Sequence, residues 1–465
     1  MTSTSTRLPL RAFLGLVAVL ALPQSAAAQE SAMVTHYREV ADRIIDAALA
    51  DSSAYERLAL LTDKFGHRFS GSESLEQALD WILEEMAGDG LENVHGEEVM
   101  VPHWVRGQES AALIEPRPMP LRMLSLGNSV GTPPEGVEAE VMVVRNFDEL
   151  ERRASEARGK IVLFNAPFTG YGQTVRYRLY GAVAAARHGA VASMIRSVTP
   201  QSLHTPHTGA MSYSDTVPKI PHVALTIEDA ETLQRMADRG ERIVVRLILG
   251  AQQFPDSPSR NVVAELRGSE SPEEVVILGG HIDSWDVGQG AMDDGGGCVA
   301  AWEVVNLLKR LGLRPRRTVR VVMWTNEENG LRGGREYRDA HRSEIDGIVL
   351  AIESDAGVFK PSGFGFGGSD SAYAIVAEVG KLLERIEAGS ITRPGGGADI
   401  GPLMRAGVPG MGLRVEGSRY FWYHHTAADT MDKLDPHEMA LCVAAMAVMA
   451  YVVADLPEPL PRAGS

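Results

Sequence analysis

Short β-branched and aliphatic runs alternate with longer stretches of helical periodicity through most of the chain, and this alternation predicts an α/β fold. Residues 275–280 (VVILGG) read as a buried strand, bounded by acids on one side and glycines on the other. Residues 317–325 (RTVRVVMWT) and 347–352 (GIVLAI) are further strand candidates, and an apolar and aromatic segment follows at 411–422. Helical patterning marks 37–49, 75–86 and 298–311. Between 116 and 253 the texture changes: short strand candidates at 137–144, 160–164 and 243–249 alternate with helix-like 180–188 and 228–237. The expectation is a mixed central sheet flanked by helices, carried by residues 29–115 and 254–465, with a smaller α/β domain inserted at 116–253. A length of 465 residues exceeds one ordinary core, in keeping with more than one unit.

Residues 1–28 stand apart. Arg7 and Arg11 flank or open an apolar run, 8–22, shorter than the roughly 20 residues of a membrane span, and Ala26, Ala27 and Ala28 offer a small-residue cleavage site. A removable export signal is expected, with a mature start near Gln29, a periplasmic or extracellular location, and no membrane partner after cleavage. With 45 basic against 61 acidic residues, a formal charge of −16 and no basic block, the composition argues against nucleic acid as a partner. Cys298 and Cys442 are too few for a disulfide framework, and a single bridge or two separately buried thiols both stay open.

The candidate chemistry gathers where strand-like runs end. His281 and Asp283 close the first run. Two apart on an extended chain, they point to the same side, so Asp283 can hold one ring nitrogen of His281 while the other faces a metal. Asp293 and Asp294 follow in a glycine-rich loop; Glu327 and Glu328 end the second run, Asp355 the third, and His424 and His425 the last. Singly, each acid is as well explained as a turn residue or cap. Recurrence after four successive runs points to one site outside the carboxyl ends of a sheet.

In order and spacing, GGHIDSWDVGQGAMDDGGG, WTNEENG, ESDAG and HHTAADT resemble the two-zinc exopeptidase family that includes bacterial leucyl aminopeptidases, glutamate carboxypeptidase II and plasma carboxypeptidase Q. Likeness to the last extends upstream through residues 66–72 (GHRFSGS), 90–95 and 101–107 (VPHWVRG). Residues 159–164 and 219–226 are similar to the protease-associated domains inserted in this family. The resemblance implies two zinc ions per chain: His281 and Asp355 on one, Glu328 and His425 on the other, Asp293 bridging, Glu327 as general base and Asp283 orienting His281. It also implies a cis peptide between Asp293 and Asp294. Thr426 assigns the ligand role to His425 rather than His424, which stands where many relatives carry an oxyanion-binding tyrosine and can donate as a neutral tautomer or as the cation. Residues 394–400 (PGGGADI) resemble the family's substrate-side loop, with Gly396, Gly397 and Asp399 against substrate; a turn with Asp399 as helix cap is the other reading.

Charge balance supports metal. Asp293, Glu328 and Asp355 crowded in a cleft would repel one another unless cations neutralised them, and mixed imidazole and carboxylate donors suit zinc. The implied activity is hydrolysis of dipeptides or short peptides through a bridging hydroxide, by a protein that resemblance also suggests is a homodimer. The alternatives are a non-catalytic binding descendant of the fold and a single-zinc enzyme like the glutaminyl cyclases. Histidines 204, 207 and 222, in the inserted segment, are candidates for substrate contact, but solvated loop positions are the expected reading.

Overall fold

Aliphatic stretches such as Val275 to Leu278 and Val321 to Val322 are buried on both faces, as strands inside a helix-covered parallel sheet must be. The computed structural model describes residues 31–462 together with 1, 2 and 4; the expected leader, residues 1–28, lies otherwise outside the described residues. From edge to edge the first sheet runs Glu92–Val105, Gln252–Leu266, Arg317–Trp324, Ser271–His281, Ile348–Glu353, Gly410–Val415, Pro361–Gly367 and Ser390–Thr392. Its four central strands, Arg317–Trp324 through Gly410–Val415, are parallel, and the strands joined to either side of them pair antiparallel. This is the mixed sheet expected.

Helices cover both faces. On one lie Ala32–Leu49, Gly296–Arg310 and Pro436–Asp455. The last is apolar all round and almost wholly buried, so its length and composition, sufficient for a membrane span, instead serve the core. On the other face Tyr337 and Leu403 pack against Val263, Ile277 and Trp324. Cys298 and Cys442 are separate buried thiols, the second donating to the Phe359 carbonyl at 3.1 Å.

A second eight-stranded sheet is built entirely from strands between Glu109 and Leu249. The chain leaves the first sheet after Val105 and re-enters it at Gln252. Helix Tyr171–Arg187 packs on this sheet and begins well before the expected 180–188, because its first turns are polar and carry little apolar periodicity. Its buried stripe is nevertheless regular, with Thr174, Arg178, Ala182 and Ala185 all turned inward.

Arg68, fully buried, fixes the loop that leaves the central strand. Its side chain donates to four carbonyls, those of Ile282 (2.8 Å), Gly66 (3.1 Å), Gln289 (2.8 Å) and Gly290 (2.8 Å). Its backbone pairs with Ser284, the Arg68 amide donating to Ser284 Oγ at 2.9 Å and the Ser284 amide to the Arg68 carbonyl at 3.1 Å. An Arg68→Met substitution keeps the volume but strips the donors from buried carbonyls; we expect a loss of about 3 kcal/mol or more in stability, read from urea unfolding.

Candidate metal centre

The carboxyl ends of adjacent parallel strands are level: His281 lies opposite Trp324, and Gly279 opposite Glu353. His281 therefore stands between the turn carrying Glu327 and Glu328 and the turn carrying Asp355. Strand Gly410–Val415 leads through the short helix Tyr420–Tyr423 to His424 and His425. The loop after His281 returns Asp293 to the same place.

Asp293 is the meeting point. Its Oδ1 lies 3.3 Å from His281 Nε2, and its Oδ2 lies 3.4 Å from His425 Nε2. On the first side His281 Nε2 is also 3.4 Å from Asp355 Oδ1; on the second, His425 Nε2 is 3.0 Å from Glu328 Oε2. All five expected ligands are thus brought together, with Asp293 shared. His424 stacks on His425, ring centroids 3.5 Å apart, and its Nε2 lies 3.7 Å from Asp293 Oδ2. Among the described residues, Asp293, His424 and His425 form one group of potential donors, and His281, Asp294 and Asp355 another. The Asp293–Asp294 peptide is cis.

Four further carboxylates near the centre are committed to backbone. Asp294 accepts from the amides of His281 and Gly297, each at 3.1 Å. Asp283 accepts from Glu327 at 3.0 Å and Glu328 at 3.3 Å, and from the Ser70 hydroxyl at 3.2 Å. Asp429 accepts from Met292 at 2.7 Å and Asp293 at 3.2 Å; Glu353 accepts from Ala398 at 2.7 Å and Ile400 at 2.8 Å. Asp283 accordingly differs from expectation: its backbone carbonyl, 2.9 Å from His281 Nδ1, holds the ring, while its carboxylate, 3.8 Å away, fixes the Glu327–Glu328 turn. The carboxylate roles of Asp429 and Glu353 were not anticipated.

The substrate-side expectation divides. Gly396 and Gly397 line a cavity of 180 Å³ with Asp355, Glu353 and Arg414. Only glycine fits at 397, where an added Cβ would stand 2.1 Å from the Glu353 carboxyl carbon. Asp399 is off that wall: fully buried, it has no hydrogen-bond partner for either carboxylate oxygen among the described residues, and helix Gly401–Arg405 has no side-chain cap.

The second sheet's unit also reaches the centre. The Thr208 amide donates to the His425 carbonyl at 3.0 Å, and the Thr208 carbonyl lies 3.3 Å from His425 Nδ1. Arg178 Nη1 lies 3.3 Å from the same nitrogen. Of the histidines expected in solvent, His204 is exposed, whereas His207 and His222 are buried; burial lowers them to about 3 and about 4, so both are neutral. Arg178 was missed because nothing beside it in sequence suggests chemistry; the available signal was a charge on a buried helical stripe.

Burial governs the electrostatics. It raises Glu327 to about 8, with the Asp355, Asp283 and Asp293 carboxylates adding and His281 opposing. Burial and the Asp293 carboxylate hold Glu328 well above its ordinary range. Burial also lowers His424 to about 4. For His281 burial acts downward but is outweighed by Asp293 and Asp355, which raise it. Two buried oxygens, Asp293 Oδ2 and Glu328 Oε1, have no hydrogen-bond partner among the described residues, which fits a centre completed by divalent cations.

Such a centre, outside the carboxyl ends of a mixed sheet, defines a metallohydrolase. Residues 261–450 match the model of peptidase family M28. The chain is 51% identical to carboxypeptidase Q of Mus musculus over 432 residues, 92% of each protein. It superposes on the peptidase M28 precursor of Shewanella amazonensis with a TM-score of 0.89 at 35% identity, covering 93% of this chain and 100% of that one. The zinc aminopeptidase BSAP of Bacillus subtilis shares the fold, with a TM-score of 0.67 at 20% identity over 88% of this chain and 98% of its own. The protein belongs to peptidase family M28, and it is a metal-dependent exopeptidase rather than a binding-only descendant or a cyclase.

The crowded carboxyls predict a pH signature when metal is withheld. A carboxyl that holds its proton more tightly folded than unfolded loses stability as pH rises from its ordinary value to its folded one. For Glu327 that window is 4.5 to about 8, and Glu353 and Asp429, each raised to about 7, act in the same direction. The buried neutral histidines act oppositely, but only below their ordinary value of 6.5. Chelator-treated protein should therefore lose melting temperature between pH 6.5 and about 8, with a flatter profile after metal is restored.

Proposed function

We propose that the protein is an exported zinc exopeptidase that hydrolyses dipeptides or short peptides, with two zinc ions per chain. The observation that carries this reading is the position of Asp293 between a His281–Asp355 pair and a His425–Glu328 pair, with one unpartnered oxygen on each of Asp293 and Glu328. Imidazole mixed with carboxylate suits zinc better than magnesium or calcium, and zinc is named for the Bacillus subtilis aminopeptidase. His281, Asp293 and Asp355 would hold one ion; Glu328, His425 and Asp293 the other. Bound zinc would polarise the scissile carbonyl and acidify the attacking water toward a pKa of about 7.

Glu327 then acts as general base. Next to the ligand Glu328, its carboxylate would take a proton from the water as oxygen attacks and return it to the leaving amine, with the two cations holding it ionised beforehand against the upward pull of burial. Asp283 holds the Glu327 and Glu328 amides, so base and ligand share one anchor. Gly396 and Gly397 offer the cavity beside Asp355 for a substrate side chain. The same reading takes 116–253 as an inserted domain and residues 1–28 as a cleaved leader.

Glu327→Gln should keep its full metal content, measured by elemental analysis, while kcat falls about 10²–10⁴-fold; near-normal turnover would refute the choice of base. A panel of free and blocked dipeptides, with and without chelator, fixes the polarity. The name of the mouse relative favours a requirement for a free carboxyl. Cleavage that instead needs a free amine and tolerates a blocked carboxyl overturns that direction, and a stoichiometry near one zinc per chain overturns the dinuclear reading.

A further inference from the structure

A phenol from the second sheet's unit stands against the centre. Tyr171 opens helix Tyr171–Arg187, and its hydroxyl oxygen accepts from Arg178 Nη2 at 3.0 Å. Seven residues separate the two, so they lie one above the other, two turns apart on one helix face. Arg178 is buried and fixed in turn, with Nη1 3.3 Å from His425 Nδ1 and 3.5 Å from the Thr208 carbonyl. The Tyr171 ring stacks on Phe421 at 5.0 Å between centroids and meets the His424 ring edge-on at 5.3 Å. The phenol is thus held on three sides: by a guanidinium on its oxygen, an aromatic face, and an imidazole that belongs to the centre itself.

This arrangement leaves the hydroxyl one hydrogen to give. Its oxygen is already engaged as an acceptor, and a cation on that oxygen polarises O–H and strengthens it as a donor. Burial raises the hydroxyl above its ordinary value, with the Glu328 and Asp293 carboxylates acting in the same direction against Arg178, so it remains protonated near neutrality. His424, another candidate donor, has its Nε2 3.7 Å from Asp293 Oδ2.

We propose that Tyr171 is a catalytic residue of the hydrolysis described above, donating a hydrogen bond to the oxyanion of the tetrahedral intermediate. The assignment rests on that functional reading. As the water oxygen bonds to the carbonyl carbon, its proton passes to Glu327 and the C=O π pair moves onto the carbonyl oxygen, which receives the Tyr171 hydrogen bond. When the C–N bond breaks, its electron pair leaves on nitrogen, which takes the proton from Glu327, and the C=O double bond re-forms. Tyr171 keeps its proton throughout.

The test compares wild type, Tyr171→Phe and Tyr420→Phe, because Tyr420 is a second phenol beside the centre, its ring centroid 5.1 Å from that of His424. Each is assayed on a dipeptide the wild type cleaves, with zinc content measured and a phosphinate dipeptide analogue titrated by calorimetry. Tyr171→Phe should keep its zinc, lose about 10²–10³-fold in kcat with KM within a few fold, and bind the phosphinate more weakly in parallel. Binding of the free product amino acid should not change. A Tyr171→Phe kcat within threefold of wild type, an unchanged phosphinate affinity, or the parallel loss appearing in Tyr420→Phe instead would overturn the proposal. If the wild type cleaves no peptide, the functional reading fails by itself. The phosphinate titration needs no turnover, so equal affinities still overturn the Tyr171 contact, and absence of phosphinate binding overturns both.

Discussion

Everything near the metal centre is arranged around the repulsion of carboxylates confined in a buried cleft. The chain resolves it in two ways. Asp283, Asp294, Asp429 and Glu353 each accept two backbone amides, so peptide dipoles fixed in loops and strand ends offset part of the cost of burying them. Asp293 and Glu328 each keep one oxygen without a hydrogen-bond partner among the described residues, while their other oxygens lie beside the imidazoles of His281 and His425. Acids that build the frame are thereby separated from acids left for cations. The separation also explains why Asp294, although grouped with His281 and Asp355 by distance, belongs to the frame.

The sheet makes that sorting possible. Parallel strands in register deliver their following loops to one level, and the antiparallel strands beside them complete the sheet without adding donors. Arg68 then ties the loop between His281 and Asp293 through carbonyls rather than charges, so it strengthens the frame without joining the centre.

Much of this was legible because the signals were local. Residues 275–280, 317–325 and 347–352 became strands Ser271–His281, Arg317–Trp324 and Ile348–Glu353, since apolar runs of that length with such flanks have few other uses. His281, Glu328 and Asp355 stand at or just beyond the ends of those strands, but choosing the five ligand candidates took the resemblance to a family, not spacing alone. What could not be read depends on tertiary reach. Whether the Asp283 carbonyl or its carboxylate holds His281 is decided by a bend of the chain after the strand. Asp399 carries the same letters as a cap or a substrate contact, yet the glycines before it fold it inward. Tyr171 and Arg178 meet His424 and His425 across about 250 residues of chain, a distance over which no periodicity carries information.

The pairing of Thr208 with His425 binds the two sheets at the point where chemistry is expected, and Arg106 adds a second rivet by holding Asp286 at 2.8 Å and Thr208 Oγ1 at 3.3 Å. Prising the sheets apart like jaws would strip an imidazole of the carbonyl that steadies it, so the second sheet is better seen as a fixed support of the site than as its door. Damage to the second sheet's unit would therefore surface first as a disturbance of His425.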